Sequence, residues 1–199
     1  MDATIRVVRD ADASAIAAIY APIVEGTHIS FETTAPSAKT MRARIREGIE
    51  RFPWLVCEIE ERVVGYAYAT AHNDRPAYQW GVDVSVYVDE NWRGKGIARG
   101  LYASLFDILR KQGFFTAYAL IALPNPPSVS LHESLGFERV GDYERAGFKH
   151  GAWHDVGHWE LTLQAHETPP DPPIPFEEFR AVGAFDDALR TGESTIRRE

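Results

Sequence analysis

The stretch Val86-Tyr87-Val88-Asp89-Glu90-Asn91-Trp92-Arg93-Gly94-Lys95-Gly96-Ile97-Ala98-Arg99-Gly100 sets a strand end, a glycine-rich turn and a helix start in immediate succession. Main-chain N–H groups at such a turn lack partners and point outward, and the helix dipole adds positive potential, so the arrangement suits a pyrophosphate. Small residues at Gly94, Gly96 and Ala98 would let the anion approach the main chain closely. Two better-known phosphate motifs fail on spacing. A dinucleotide fingerprint needs its third glycine one place before Gly100 and an acid at the end of the next strand, where Leu120 to Leu123 supplies none. A Walker loop needs Ser or Thr after a Gly-Lys pair, and Gly96 follows Gly94-Lys95 here. A tight turn that only caps the helix is the other reading of the segment.

The elements that position this turn follow from hydrophobic periodicity. Thr4 to Arg9 alternates as a strand, and Asp10 and Asp12 precede an alanine-rich helix beginning at Ala13. Ser37 to Arg51 predicts a second helix with Met41, Ile45 and Ile49 on one face and arginines on the other. Trp54 to Ile59 and Val63 to Ala71 read as a hairpin, Val82 to Val88 as a third long strand. The helix after the glycine turn has Leu101, Leu105, Ile108 and Leu109 as its buried stripe and ends at Gly113. Phe115 to Leu123 is a strand and Ser128 to Leu135 a short helix ended by Gly136. Phe137 to Tyr143 and Trp153 to Leu163 are a closing strand pair. This order predicts an α/β (α+β) domain with a central mixed sheet, spanning residues 1–165. From 166 to 199 the composition changes to a proline-rich extension, in which Phe176, Phe179, Val182, Phe185 and Leu189 suggest a short helix that docks or stays marginal.

A chain of 199 residues with a formal net charge of −8 argues against nucleic acid as main partner, because phosphates are neutralised by clustered Lys and Arg. Its one cysteine, Cys57, lies in an apolar run and reads as a buried structural thiol in a reducing compartment. No signal peptide and no membrane-spanning run is evident, so a cytoplasmic location is expected. His72, His150 and His158 lack metal-ligand spacing, and no metal is expected.

Arg93-Gly94-Lys95-Gly96-Ile97-Ala98, Asn125 after the following strand, and His132-Glu133-Ser134-Leu135-Gly136-Phe137 together resemble the GNAT acetyltransferase superfamily. Within it, Phe52-Pro53-Trp54, Ala77-Tyr78-Gln79-Trp80, Ser85-Val86-Tyr87-Val88, Leu123-Pro124-Asn125 and Ala146 to Gly157 are similar to phosphinothricin and methionine sulfoximine N-acetyltransferases. The likeness covers nearly all of residues 4–165. It implies a mostly antiparallel mixed sheet, acetyl-CoA as cosubstrate, a homodimer, and direct attack of a neutral amine on the thioester with no acyl-enzyme. It also implies that Val86, Tyr87 and Val88 hold the pantetheine arm through the main chain. Arg93, Gly94, Lys95, Gly96, Ile97, Ala98 and Arg99 would hold the pyrophosphate, with Asn125 and Ser128 also on the cofactor.

The general base of the resembling enzymes is a Glu three residues before the Val-Tyr-Val run, and here that position is Asp83, one methylene shorter. An Asp paired with an arginine such as Arg75 is the structural alternative. His132 stands where the superfamily often has a Tyr that protonates the departing thiolate; it could donate, hydrogen-bond the cofactor, or be inert. Arg75 matches a carboxylate or phosphinate of the acceptor, or is a surface arginine. Tyr78, Phe31 with Glu32 and Thr33, and His154 would shape the acceptor pocket, His154 being equally readable as a buried histidine satisfied by the main chain. The competing functions are acetylation of another amine, such as a peptide amino terminus, and a non-catalytic acyl-CoA-binding module.

Overall fold

The computed structural model describes residues 3–197. One seven-stranded sheet runs through it in the order β1-β2-β3-β4-β5-β7-β6. Its strands are β1 (Ala3–Val7), β2 (Trp54–Ile59), β3 (Arg62–Ala71), β4 (Gly81–Val88), β5 (Thr116–Ala122), β6 (Glu138–Lys149) and β7 (Ala152–Thr162). Every neighbouring pair is antiparallel except β4 and β5. The β2–β3 hairpin closes through Glu60 and Glu61, both at positive φ, as a tight two-residue turn requires.

Helices α1 (Ala13–Gly26) and α2 (Ala38–Gly48) cover one face of the sheet. Their apolar residues Ile16, Ile23, Met41 and Ile45 pack on Trp54, Val56 and Tyr66. Ser37 starts α2 by accepting a hydrogen bond from the Thr40 amide. The helix stops at Gly48, short of the expected Arg51, and the Trp54 indole lies directly against Gly48, where a Cβ would come within 2.8 Å of Nε1. Asp12 does not cap α1 with its side chain. Its carboxylate instead receives the Arg6 guanidinium and the Arg9 amide.

The other face is covered by α3 (Ile97–Gln112), with α4 (Pro126–Glu133) beside it. The predicted stripe Leu101, Leu105, Ile108 and Leu109 is fully buried, and Gly113 ends α3 in the left-handed conformation. β6 runs six residues past the expected Tyr143. A register shift between Tyr143 and Gly147, with Arg145 at positive φ, lets the chain bulge and resume pairing with β7.

The extension docks. It forms two short helices where one was expected, α5 (Phe176–Phe179) and α6 (Phe185–Arg190). Phe176, Phe179, Phe185, Ala188 and Ile196 join the core beneath α3. The proline-rich stretch before them is tied down at its main chain, by the Trp80 indole to the Asp171 carbonyl and by Gln112 to Ile174.

Candidate active site

The parallel pairing of β4 with β5 lasts only three residues, from Gly81 opposite Thr116 to Asp83 opposite Tyr118. Beyond Asp83 the two strands part, leaving the β5-facing edge of Val84 to Val88 without ladder partners. A groove of about 660 Å³ opens there, lined by Val84 to Val88, Trp92 to Gly94, Gly96 to Arg99, Leu120 to Ala122, Asn125 and Ser128. Lys95, the remaining residue of the turn, turns its ammonium onto the Trp92 ring at 4.6 Å.

The glycine turn delivers the α3 N-terminus to this groove. Gly94 and Gly96 have φ of +78° and +81°, conformations that residues with a Cβ rarely adopt. No side chain caps α3, so its first amides are left for a ligand. Across the groove Asn125 caps α4 by accepting from the Ser128 amide. Arg99 reaches over to the Ser134 hydroxyl at 2.5 Å.

Asp83 sits where the strands part and is partly buried. Its partner is His72, not Arg75: His72 Nδ1 lies 2.7 Å from Asp83 Oδ1. The cross-strand pair Thr70–Asp83 puts His72, two residues past Thr70, on the same face as Asp83. His72 stacks on Tyr118 at 4.0 Å and meets the edge of Tyr78. Burial raises the Asp83 carboxyl above the usual aspartate range, and the His72 hydrogen bond lowers it in part.

His132 is buried at 4% exposure and does not face the groove. Its Nδ1 lies 2.8 Å from the Ser128 carbonyl and its Nε2 lies 3.1 Å from the Tyr102 hydroxyl. Nδ1–H therefore donates to the carbonyl, and Nε2 accepts from Tyr102. Burial lowers its pKa. Both ring nitrogens are thus engaged, and the ring braces the α4 turn that carries Ser128.

The expected acceptor residues fall into two groups. Arg75 and Tyr78 flank the His72–Asp83 pair on an exposed turn, and Arg75 makes no side-chain hydrogen bond or ion pair among the described residues. Phe31 and His154 lie at the other end. Phe31 packs against Gly147 of β6, where a Cβ would collide with its ring. His154 stacks on His28 at 4.3 Å and bonds the Lys149 carbonyl at 3.0 Å, satisfied by the main chain. Tyr118 faces Glu160 on β7, and His154 is six residues from Glu160, about 20 Å along an extended strand.

Three residues missed in the sequence hold this region. His72 pairs with Asp83. Lys149, buried, donates to the Val24 and Ser30 carbonyls and so pins the loop after α1 to the β6–β7 hairpin. Arg44 of α2 holds Glu32 of the same loop through two bonds at 2.7 and 2.8 Å.

A splayed strand pair and an uncapped helix N-terminus thus border one groove, with a carboxylate at the point of parting. A family profile for the acetyltransferase (GNAT) domain matches residues 5–158, and the chain belongs to this acetyltransferase family. It is 38% identical over 171 residues to a phosphinothricin N-acetyltransferase of Streptomyces viridochromogenes, covering 86% of this chain and 91% of that protein. A methionine sulfoximine/methionine sulfone acetyltransferase of Pseudomonas paraeruginosa is 33% identical, over 85% of this chain and all of that one. The crystal structure of a phosphinothricin acetyltransferase from Sinorhizobium meliloti in complex with acetyl-CoA superposes with a TM-score of 0.80 at 36% identity, covering 86% of this chain and 94% of that one.

Proposed function

We propose that the protein transfers the acetyl group of acetyl-CoA to the amino group of a small amino-acid-like acceptor of the phosphinothricin or methionine sulfoximine type. The observation that carries this is the parting of β4 and β5 immediately after Asp83. It leaves a free strand edge facing an uncapped, glycine-bearing helix start. The groove fits the cosubstrate chemically. Main-chain groups of Val86, Tyr87 and Val88 would take the pantetheine amides as an added strand. The amides of Ile97 and Ala98, with Arg93, Lys95 and Arg99, would hold the pyrophosphate. Asn125, whose Oδ1 is spent on the α4 cap, and Ser128 line the opposite wall.

Bound acetyl-CoA supplies an activated thioester, and the residues of this chain prepare the amine that attacks it. A free amino acid is an ammonium at neutral pH, so its proton must leave before the nitrogen has a lone pair. Asp83 takes that proton, directly or through a water that makes up for its short side chain, and its raised pKa brings it nearer the operating pH. His72 holds the carboxylate in place. A main-chain N–H near Val86 stabilises the oxyanion as the tetrahedral centre forms. The amine and the cosubstrate are bound together, with no acyl-enzyme. Arg75 pairs with the acceptor's carboxylate or phosphinate and Tyr78 packs beside it, whereas Phe31 and His154 lie too far along β7 to touch a small acceptor held there. A homodimer is supported by the apolar residues Val140, Tyr143, Phe148 and Trp153, exposed together on β6 and β7. The free, buried Cys57 thiol, pushed up to about 12 by burial, accords with a reducing cytoplasm.

The test is release of coenzyme A from acetyl-CoA by the purified protein with phosphinothricin, methionine sulfoximine, methionine sulfone, glutamate and a short peptide as acceptors. Turnover of the first three supports the proposal. Turnover of the peptide alone moves the function to amino-terminal acetylation, and cosubstrate binding without turnover of any amine makes the chain a binding module.

A further inference from the structure

The family profile stops at residue 158, yet the acetyl-CoA groove is also lined by Thr195 and Arg197, at the far end of the C-terminal extension. The segment reaches the groove by lying along one face of α3. Gly96, Gly100 and Ser104 recur at four-residue spacing and so form a stripe of small residues on that face. Ser104 Oγ donates to the Leu189 carbonyl at 2.7 Å and accepts from the Gly192 amide at 3.0 Å. Gly100 and Gly192 touch backbone to backbone, so that a Cβ on Gly192 would collide with the Gly100 carbonyl. A Cβ on Gly96 would lie 2.6 Å from the Thr195 carbonyl oxygen. Ile196 is buried beside Gly100, and the Glu193 carboxylate accepts the Ile5 amide at 2.9 Å. At the end of this path the Arg197 amide donates to the Lys95 carbonyl at 2.9 Å, within the glycine turn itself.

Two consequences follow for the turn. Its left-handed Gly96 is held from behind by Thr195 and Ile196, so the amides aimed at the ligand are fixed before it arrives. A third arginine also joins Arg93 and Arg99 in the lining of the groove, in a chain whose net charge is −8. Of these, Arg99 is engaged with Ser134, as Lys95 of the turn is with Trp92, whereas Arg93 and Arg197 have no side-chain partner among the described residues.

We propose that the C-terminal strap, Leu189 to Arg197, is a working part of the cosubstrate site, with Arg197 binding a phosphate of coenzyme A and the strap bracing the turn that holds the others. The proposal rests on the reading of the groove as an acetyl-CoA site. Because Arg197 is exposed and contributes nothing to the core, its replacement leaves the fold intact.

The test is calorimetric titration of the full chain and its Arg197→Ala, Arg197→Glu and Arg197→Lys variants with acetyl-CoA, 3′-dephospho-acetyl-CoA and S-acetyl-pantetheine. Arg197→Ala is expected to weaken acetyl-CoA binding about five- to tenfold, Arg197→Glu more, and Arg197→Lys least. S-acetyl-pantetheine, which carries no phosphodiester, should bind all four alike. A penalty that vanishes with the dephospho compound assigns Arg197 to the 3′-phosphate, and one that persists assigns it to the diphosphate. Hydrogen exchange gives a second readout: acetyl-CoA, but not S-acetyl-pantetheine, should slow exchange of the Ile196 and Arg197 amides, since binding and strap docking are reciprocally linked. Binding of acetyl-CoA by Arg197→Ala within twofold of the parent, with no protection of these amides, overturns the proposal. Failure of the parent chain to bind acetyl-CoA overturns the reading of the groove itself.

Discussion

Asp83 and His72 are eleven positions apart in the chain and 2.7 Å apart in space, and the contact tempers how burial shifts Asp83. Burial raises the carboxyl and the His72 hydrogen bond holds it back. A base works only when deprotonated, so activity falls as pH falls through the Asp83 pKa, and a raised pKa places that acid limb above the ordinary aspartate range. Removing the imidazole removes a lowering influence. His72→Ala is therefore expected to move the acid limb of kcat/KM to higher pH; a limb that stays put or moves down would separate His72 from Asp83. Asp83 is singled out through the family resemblance, by its place three residues before the Val-Tyr-Val run. His72 is not, since only the Thr70–Asp83 register makes the two neighbours. For His132 the place is legible in the sequence but not the partners, since only its burial against Tyr102 and Phe137 shows both nitrogens occupied.

Elements whose signals are local came through in the sequence. The hairpin turn, the α3 stripe, the Gly113 stop and the glycine turn are each set by a few consecutive residues, whereas α4 starts at Pro126 and ends at Glu133, two residues before the expected bounds at each end. β6 was cut short because Glu144-Arg145-Ala146-Gly147 reads as a turn, whereas the chain bulges there and continues to Lys149. That continuation is what carries Lys149 to the loop after α1. Its ammonium donates to the carbonyls of Val24 and Ser30, which fixes the segment bearing Phe31 and Glu32. Lys149→Met keeps the bulk and deletes both bonds. It should cost about 1–3 kcal/mol in urea unfolding, the penalty of leaving buried carbonyls unpaired. It should also raise the acceptor KM; an unchanged acceptor KM would mean that the loop is held by Arg44 and Glu32 alone.

At the scale of the molecule, the change of composition near residue 166 marks a real change of structure, but docking could not be read from it. The surface that receives the extension is assembled from β1 on one side and from the glycine turn with α3 on the other, which the sequence leaves far apart. Phe176 is completely buried in the main core, so the extension shares one hydrophobic core with the family domain. Phe176→Ala is expected to lower stability by about 3–5 kcal/mol in a single cooperative transition. A separate early transition for the extension would show that it folds apart. Among the described residues no helix is long and apolar enough to cross a membrane. On the proposed function, the arrangement serves removal of a proton from an amine held at the parting of β4 and β5, ahead of its attack on the thioester. The most direct measurement is the pH profile of kcat/KM for Asp83→Asn against the parent chain, with phosphinothricin as acceptor. The account predicts a loss of about 10²- to 10⁴-fold near neutral pH, with the rate recovering only as pH rises far enough to free the amine without help. An Asp83→Asn profile that overlays the parent's would contradict it.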